Sequence, residues 1–231
     1  MGRKYGKVLT IILIIIIISV IALLAYLGYD YFSKYNTEKD AENAVDTFIS
    51  TATETPTATN EDNLNNSTEI ASNNLLNNTN TTNTTNTTNS RSATKPKYKG
   101  FNMIGTIEIP KTRAKYPVLE RVTKKSLETA VAVIYPFENP VLNTEGNVVI
   151  QGHNYRNGQF FSDNKKLSKG DRIYITDLNK KKVTYTVYKV FQTSESDTSL
   201  YNRDTDGKME ITLSTCTDDS SARIIVEARA D

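Results

Sequence analysis

The alternation of apolar and polar positions divides the chain into three stretches. From Val8 to Leu27 every residue is apolar except Thr10, Ser19 and Tyr26, and none carries a charge. A helix of that length rises about 30 Å, the thickness of a bilayer's hydrocarbon core. The pattern predicts a transmembrane helix over 8–29 behind a short tail, 1–7. Arg3, Lys4 and Lys7 precede the span, whereas Asp30, Lys34, Glu38, Lys39 and Asp40 mix both signs after it. The positive-inside rule then leaves the N-terminus in the cytoplasm and the remainder outside. A cleaved signal peptide would have a shorter apolar core followed by small residues. Here Tyr26, Tyr29, Tyr31 and Phe32 follow instead, as in an interfacial aromatic belt, and favour an uncleaved anchor.

The second stretch, 30–97, reads as stalk and linker. Tyr35, Ala41, Ala44, Val45 and Phe48 give Tyr29–Ser50 some helical character, suited to a short stalk extending the span. Ser50–Lys97 contains no aromatic residue, and between Ala71 and Ser90 it has eight Asn and seven Thr in an Asn-Thr-Thr repeat. Such a segment cannot bury enough apolar surface to offset the entropy of ordering it, so a disordered tether is expected. Random-coil scaling gives it a reach on the order of 40 Å. Its Asn-x-Thr triplets would be glycosylation acceptors in a eukaryotic secretory pathway and are polar spacer elsewhere; the spacer reading is favoured.

The third stretch, 98–231, is the globular domain, and short β-patterned runs dominate it. Strands are predicted at Met103–Ile109, Lys115–Leu119, Asn147–Gln151, Arg172–Thr176, Val183–Phe191, Met209–Thr215 and Arg223–Ala228, with short helices near Lys125–Ala132 and Phe160–Leu167. Seven or so short strands between turn signals make this an all-β barrel or sandwich.

Composition narrows the chemistry. Hydrophobic residues are 38% of the chain, a low share for one that also carries an apolar span, in keeping with an unfolded linker. A formal charge of +2 gives no global case for nucleic-acid binding. Lys165–Lys166 and Lys180–Lys182 lack an aromatic platform and read as solvated loop and strand ends. One cysteine and one histidine exclude an internal disulfide and a structural zinc site, and no cofactor or metal is expected.

The last two strands bear on the cysteine. In Met209–Cys216 the apolar Met209, Ile211 and Leu213 share one parity, so Cys216 falls on the opposite face with Glu210, Thr212 and Ser214. In Arg223–Arg229 the inward set is Ile224, Val226 and Ala228, which turns Arg223 outward. Thr217–Ala222 reads as a hairpin turn, making Cys216 and Arg223 neighbours on one face. A guanidinium beside a thiol favours the nucleophilic thiolate and can hydrogen-bond an oxyanion. Strand parity alone leaves open the blander reading, in which Arg223 pairs with Asp218 or Asp219. His153, ending a strand after Gly152, adds a candidate general acid.

At these residues the sequence resembles the sortases, cysteine transpeptidases that attach proteins to the cell wall of Gram-positive bacteria. The resemblance rests on Thr212-Leu213-Ser214-Thr215-Cys216, on Arg223 in the next strand and on Gly152-His153-Asn154. It spans Tyr98–Asp231 and implies the family's eight-stranded β-barrel. It also implies Cys216, His153 and Arg223 as catalytic residues, with Thr215, Ser214 and Tyr155 lining the substrate groove. The implied partners are surface proteins bearing a C-terminal sorting signal, cleaved after a Thr, and an amine of a cell-wall precursor or a pilin. The run Gly152–Phe161 and the Thr-Leu-Ser-Thr-Cys motif resemble class B. The short Gln192–Lys208 connection lacks that class's helix-containing insertion and suits a class D-like or other compact enzyme equally well.

Other readings are a different cysteine peptidase and a tethered non-catalytic module. A papain-like enzyme would carry its Cys early, on a helix, with a late His. An L,D-transpeptidase would show Ser-x-Gly-Cys, which is absent here.

Overall fold

The computed structural model describes residues 2–51 and 95–231. The linker expected over 52–94 lies outside them.

Helix α1 (Gly2–Ser50) runs unbroken from the apolar span into the predicted stalk. Its apolar window has a mean hydropathy of 3.1 and none of it is covered by the rest of the protein, so α1 is long and apolar enough to cross a membrane. The stalk expectation changes on the far side of the span. That part of the helix is not free: Ala41, Val45 and Phe48 are buried against the β-domain. Spaced three and four residues apart, they form one helix face.

The β-domain begins with a two-residue strand, β1 (Lys97–Tyr98), paired to β2 (Phe101–Ile109). There follow β3 (Ala114–Leu119), the single-turn helix α2 (Lys124–Leu127), β4 (Val131–Tyr135) and β5 (Gly146–Gln151). The chain then continues through β6 (Arg172–Asp177), β7 (Lys182–Thr193), β8 (Met209–Cys216) and β9 (Arg223–Ala230). Strands pair in the order β2-β3-β4-β5-β8-β9-β7-β6, and β6 returns to pair with β2. This closes an eight-stranded barrel and removes the open edges that β1 alone would not cover. All pairings are antiparallel except β3–β4 and β5–β8.

The interior follows strand alternation. Ile107 and Ile109, Tyr116 and Val118, Val148 and Ile150, Ile173 and Ile175, Ile211 and Leu213, Val226 and Ala228 all point into one core. On β7 the inward set is Tyr185 and Val187 and then Val190, because a register shift lies between Val187 and Lys189. A bulge of this kind moves the inward parity by one residue.

Two predicted helices are shorter than expected. Ala130–Ala132 was included in the first, but Val131 and Ala132 belong to β4, paired with Val118, Leu119 and Gln151. What remains is the single turn α2, capped by Thr123 and Ser126, each side chain accepting the other's backbone N–H. The second shrinks to a 3₁₀ turn at Asn164–Lys166. Phe160 has φ 52°, outside the helical region, which ends any helix there before it starts.

Leu213 is fully buried in the centre of the core, on the strand that carries Cys216. Leu213→Ala is expected to cost about 2–5 kcal/mol of stability, read as a shift of the urea midpoint at unchanged slope.

Candidate active site

The β8–β9 hairpin sets the first part of the site. Cys216 and Arg223 are register partners at its turn end. The intervening turn is built around Asp219, whose carboxylate accepts from the Thr217 and Ser221 hydroxyls at 2.5 and 2.7 Å. These bonds hold the Asp219 carboxyl down at about 2. Thr217 N–H also donates to Ala222 O at 2.9 Å, closing the loop. Arg223 Nη1 donates to Cys216 Sγ. Nη2 donates to Glu195 Oε1 at 2.6 Å, from the connection between β7 and β8. Neither Asp218 nor Asp219 is the partner of Arg223: Asp218 is held by Lys165 at 2.5 Å and by Asn154 at 2.9 Å.

The second part comes from β5. Gln151 is the register partner of Ser214 on the parallel strand β8, and Gly152 N–H extends the ladder to Ser214 O at 3.1 Å. Two residues beyond Gln151, His153 reaches the level of Cys216. Gly152 is what permits the approach: a Cβ there would lie 2.7 Å from Phe161 Cδ2 and 2.9 Å from Val131 Cγ1. Asn154 fastens the His153 segment to the cysteine strand. Its Nδ2 donates to Cys216 O at 2.9 Å as well as to Asp218, and its Oδ1 accepts from Arg156 N–H at 3.0 Å.

His153 is half-buried, and its ring stacks on Tyr155 at 4.9 Å. Tyr155 stands edge-on to Phe160 at 5.6 Å, and Phe160 N–H donates to Tyr116 OH at 2.9 Å. Burial lowers the His153 pKa below its ordinary value; the Glu128 carboxylate works against this and the Arg223 guanidinium with it.

The expected groove residues separate. Ser214 shares the face of Cys216 and is 7% exposed, and Tyr155 is 43% exposed beside His153. Thr215 lies on the other face of β8, fully buried, with its hydroxyl lacking a partner among the described residues. By strand alternation it points with Leu213 toward the interior and offers no surface to a ligand.

The face that carries Cys216 is also less open than its polar residues suggested. Glu210, Thr212, Ser214 and Glu227 are all buried. The β7–β8 connection covers them, and Arg203 is its anchor. Its guanidinium pairs with Glu210, reaches Glu227 at 3.6 Å and donates to Asn147 Oδ1 at 3.2 Å and Thr212 Oγ1 at 3.3 Å. Arg229 and Tyr188 complete the set, donating to Glu210 at 2.7 and 2.9 Å. Burial alone would raise the Glu210 pKa, but these donors and the Arg203 charge hold it below the usual carboxylate value. The sequence reading assigned no role to Glu195, Glu128, Arg203 or Asn154. Asn154 lay inside the quoted Gly-His-Asn run; the other three meet the site only through tertiary packing.

A closed eight-stranded barrel of this kind is the fold of the sortase structures the chain is similar to. The sortase-domain family model matches residues 107–231, more than half of the chain, and the chain belongs to that family. It is 37% identical over 127 residues to sortase A of Bacillus anthracis, covering 54% of this chain and 58% of that protein. Against sortase A of Streptococcus agalactiae serotype III it is 26% identical over 145 residues, covering 60% and 57%. The chain thus spans less than three fifths of either relative's length. Among solved structures, a lid mutant of Corynebacterium diphtheriae sortase A superposes with a TM-score of 0.52 at 29% identity, over 62% of this chain and 74% of that one. The Clostridium perfringens sortase D5 transpeptidase gives 0.50 at 33%, over 56% and 79%.

Because the chain has one histidine, its ring Hε1 resonance titrates without overlap from another imidazole in NMR. The midpoint is expected below that of a free histidine. Glu128→Gln should lower it further, and Arg223→Met should raise it, since removing a cation relieves the imidazolium.

Proposed function

We propose that the protein is a membrane-anchored cysteine transpeptidase acting on C-terminal sorting signals. The observation that carries this reading is the Arg223 guanidinium on Cys216 Sγ, with His153 brought level on the neighbouring strand. A cation at the sulfur favours the thiolate, the form that attacks a carbonyl. Cys216 Sγ bonds to the carbonyl carbon at a Thr of the signal, and the carbonyl electrons move onto oxygen. Arg223, no longer needed at a sulfur that has given up its charge, hydrogen-bonds that oxyanion. The C–N bond then breaks as His153, carrying the proton that left the Cys216 thiol, delivers it to the departing amine. The thioester left on Cys216 is opened by a second amine, from a cell-wall precursor or a pilin, which passes its proton back to His153. Dividing the exchange of one amide for another into two acyl transfers is ordinary covalent catalysis.

The partners in this reading are surface proteins with a sorting signal and the amine acceptor. Ser214 and Tyr155 border the groove. With Arg3, Lys4 and Lys7 ahead of the span, the N-terminus is cytoplasmic and the barrel stands outside the cell.

The test is incubation of the full chain in detergent with a panel of sorting-signal peptides and a soluble amine, followed by intact-mass spectrometry. A Cys216-linked acyl adduct ending in Thr is expected, and Cys216→Ala should abolish it. Arg223→Lys should retain the adduct but form it on the order of 10²-fold more slowly, since a lysine cannot hold sulfur and oxygen positions with a rigid fork. A reactive thiol with no cleavage of any peptide would overturn the substrate class.

A further inference from the structure

The docked half of α1 fixes where the catalytic barrel sits relative to the bilayer. The apolar run ends at Leu27, and Lys34 is already in contact with the barrel, its Nζ donating to Asn157 O. Seven residues of helix separate them, about 10 Å of rise. Asn157 belongs to the Asn154–Phe160 loop, bracketed by the bridge between those two residues and directly continuous with His153. Farther along, Tyr35, Glu38 and Glu42 border a cleft closed by Arg113, Lys115 and Tyr116. Tyr116 is the residue whose hydroxyl accepts the Phe160 N–H, so the helix and the His153 loop brace the same side chain.

At the other end, Phe48 packs with Tyr98, Met103, Leu119 and Leu127, and Lys180 lies 3.3 Å above its ring. Phe48 stands fourteen residues beyond Lys34, about 21 Å farther from the membrane. Val45 and Phe48 are buried in this docking, and their apolar surface holds it together. The ion pairs Lys99–Asp40 at 3.2 Å and Lys115–Asp46 at 2.6 Å are largely exposed and set direction more than strength.

We propose that this docking holds the His153 side of the catalytic mouth against the outer surface of the bilayer, so that the site serves polypeptides still held at the membrane. Arg113 and Arg156, both exposed on this side, face the anionic headgroups. The proposal rests on the reading of α1 as a membrane anchor and adds to it a fixed orientation, which a barrel hanging from a flexible tether would lack.

The experiment uses the full chain in lipid nanodiscs containing an anionic lipid and a headgroup-chelated nickel lipid. With Cys216→Ala as background, a single spin label is placed through Arg156→Cys or Asn179→Cys, both exposed positions. The nickel should relax the label at 156 strongly and the label at 179 weakly. Val45→Asp, which undocks the helix, should bring the two labels to similar values. In otherwise wild-type chain, Val45→Asp should slow cleavage of a bilayer-tethered signal several-fold and leave cleavage of the same peptide in solution unchanged. Equal relaxation at 156 and 179 in chain that does insert would overturn the proposal and leave the anchor intact. Failure to enter nanodiscs at all would overturn the anchor and the proposal together.

Discussion

The register of β8 between its two neighbours is the constraint on which the site depends. One ladder, to β9, places Cys216 opposite Arg223; the other, to β5, carries His153 to the same level. A slip of one residue in either would turn a side chain to the wrong face. That register is held from inside by Ile211, Leu213, Val226 and Ala228, and at the hairpin by the Asp219 turn. The pairing of Cys216 with Arg223 is a by-product of core packing on the other side of the same strands.

The outer face of β8 and β9 is stabilised differently. The buried Glu210 carboxylate could not remain charged there without Arg203, Arg229 and Tyr188, and Arg203 also reaches the buried Glu227. Arg203 belongs to the β7–β8 connection, so the charges that need it also clamp that loop over the strands. The same loop carries Glu195 in its first turn, on the other arm of Arg223. A short connection thereby touches both the structural network and the Arg223 guanidinium.

Much of the barrel was legible because its signals are local. Period-two alternation marked most strands, and the six residues between Cys216 and Arg223 gave their pairing through hairpin geometry alone. The failures lie where tertiary contact decides. Val131 and Ala132 were read into a helix, but pairing with β3 and β5 makes them the start of a strand. The polar parity of β8 indicated a face away from the core but could not show that Arg203, from a distant loop, buries it. Thr215 sits inside a recognisable motif, yet its alternation places it with Leu213 rather than with Cys216. The packing of Ala41, Val45 and Phe48 was written only as three apolar residues in a polar helix, a pattern that does not name its partner.

The central claim is that Arg223 makes Cys216 a nucleophile. It is tested most directly by the second-order rate of Cys216 alkylation by iodoacetamide at one neutral pH. Wild type should be compared with Arg223→Met, with circular dichroism showing both folded. The account predicts that the wild-type thiol reacts on the order of tenfold faster than the variant, because loss of the guanidinium removes the charge that favours the thiolate. Equal rates in two folded proteins would contradict it, and would reduce the pairing of Cys216 with Arg223 to a structural contact.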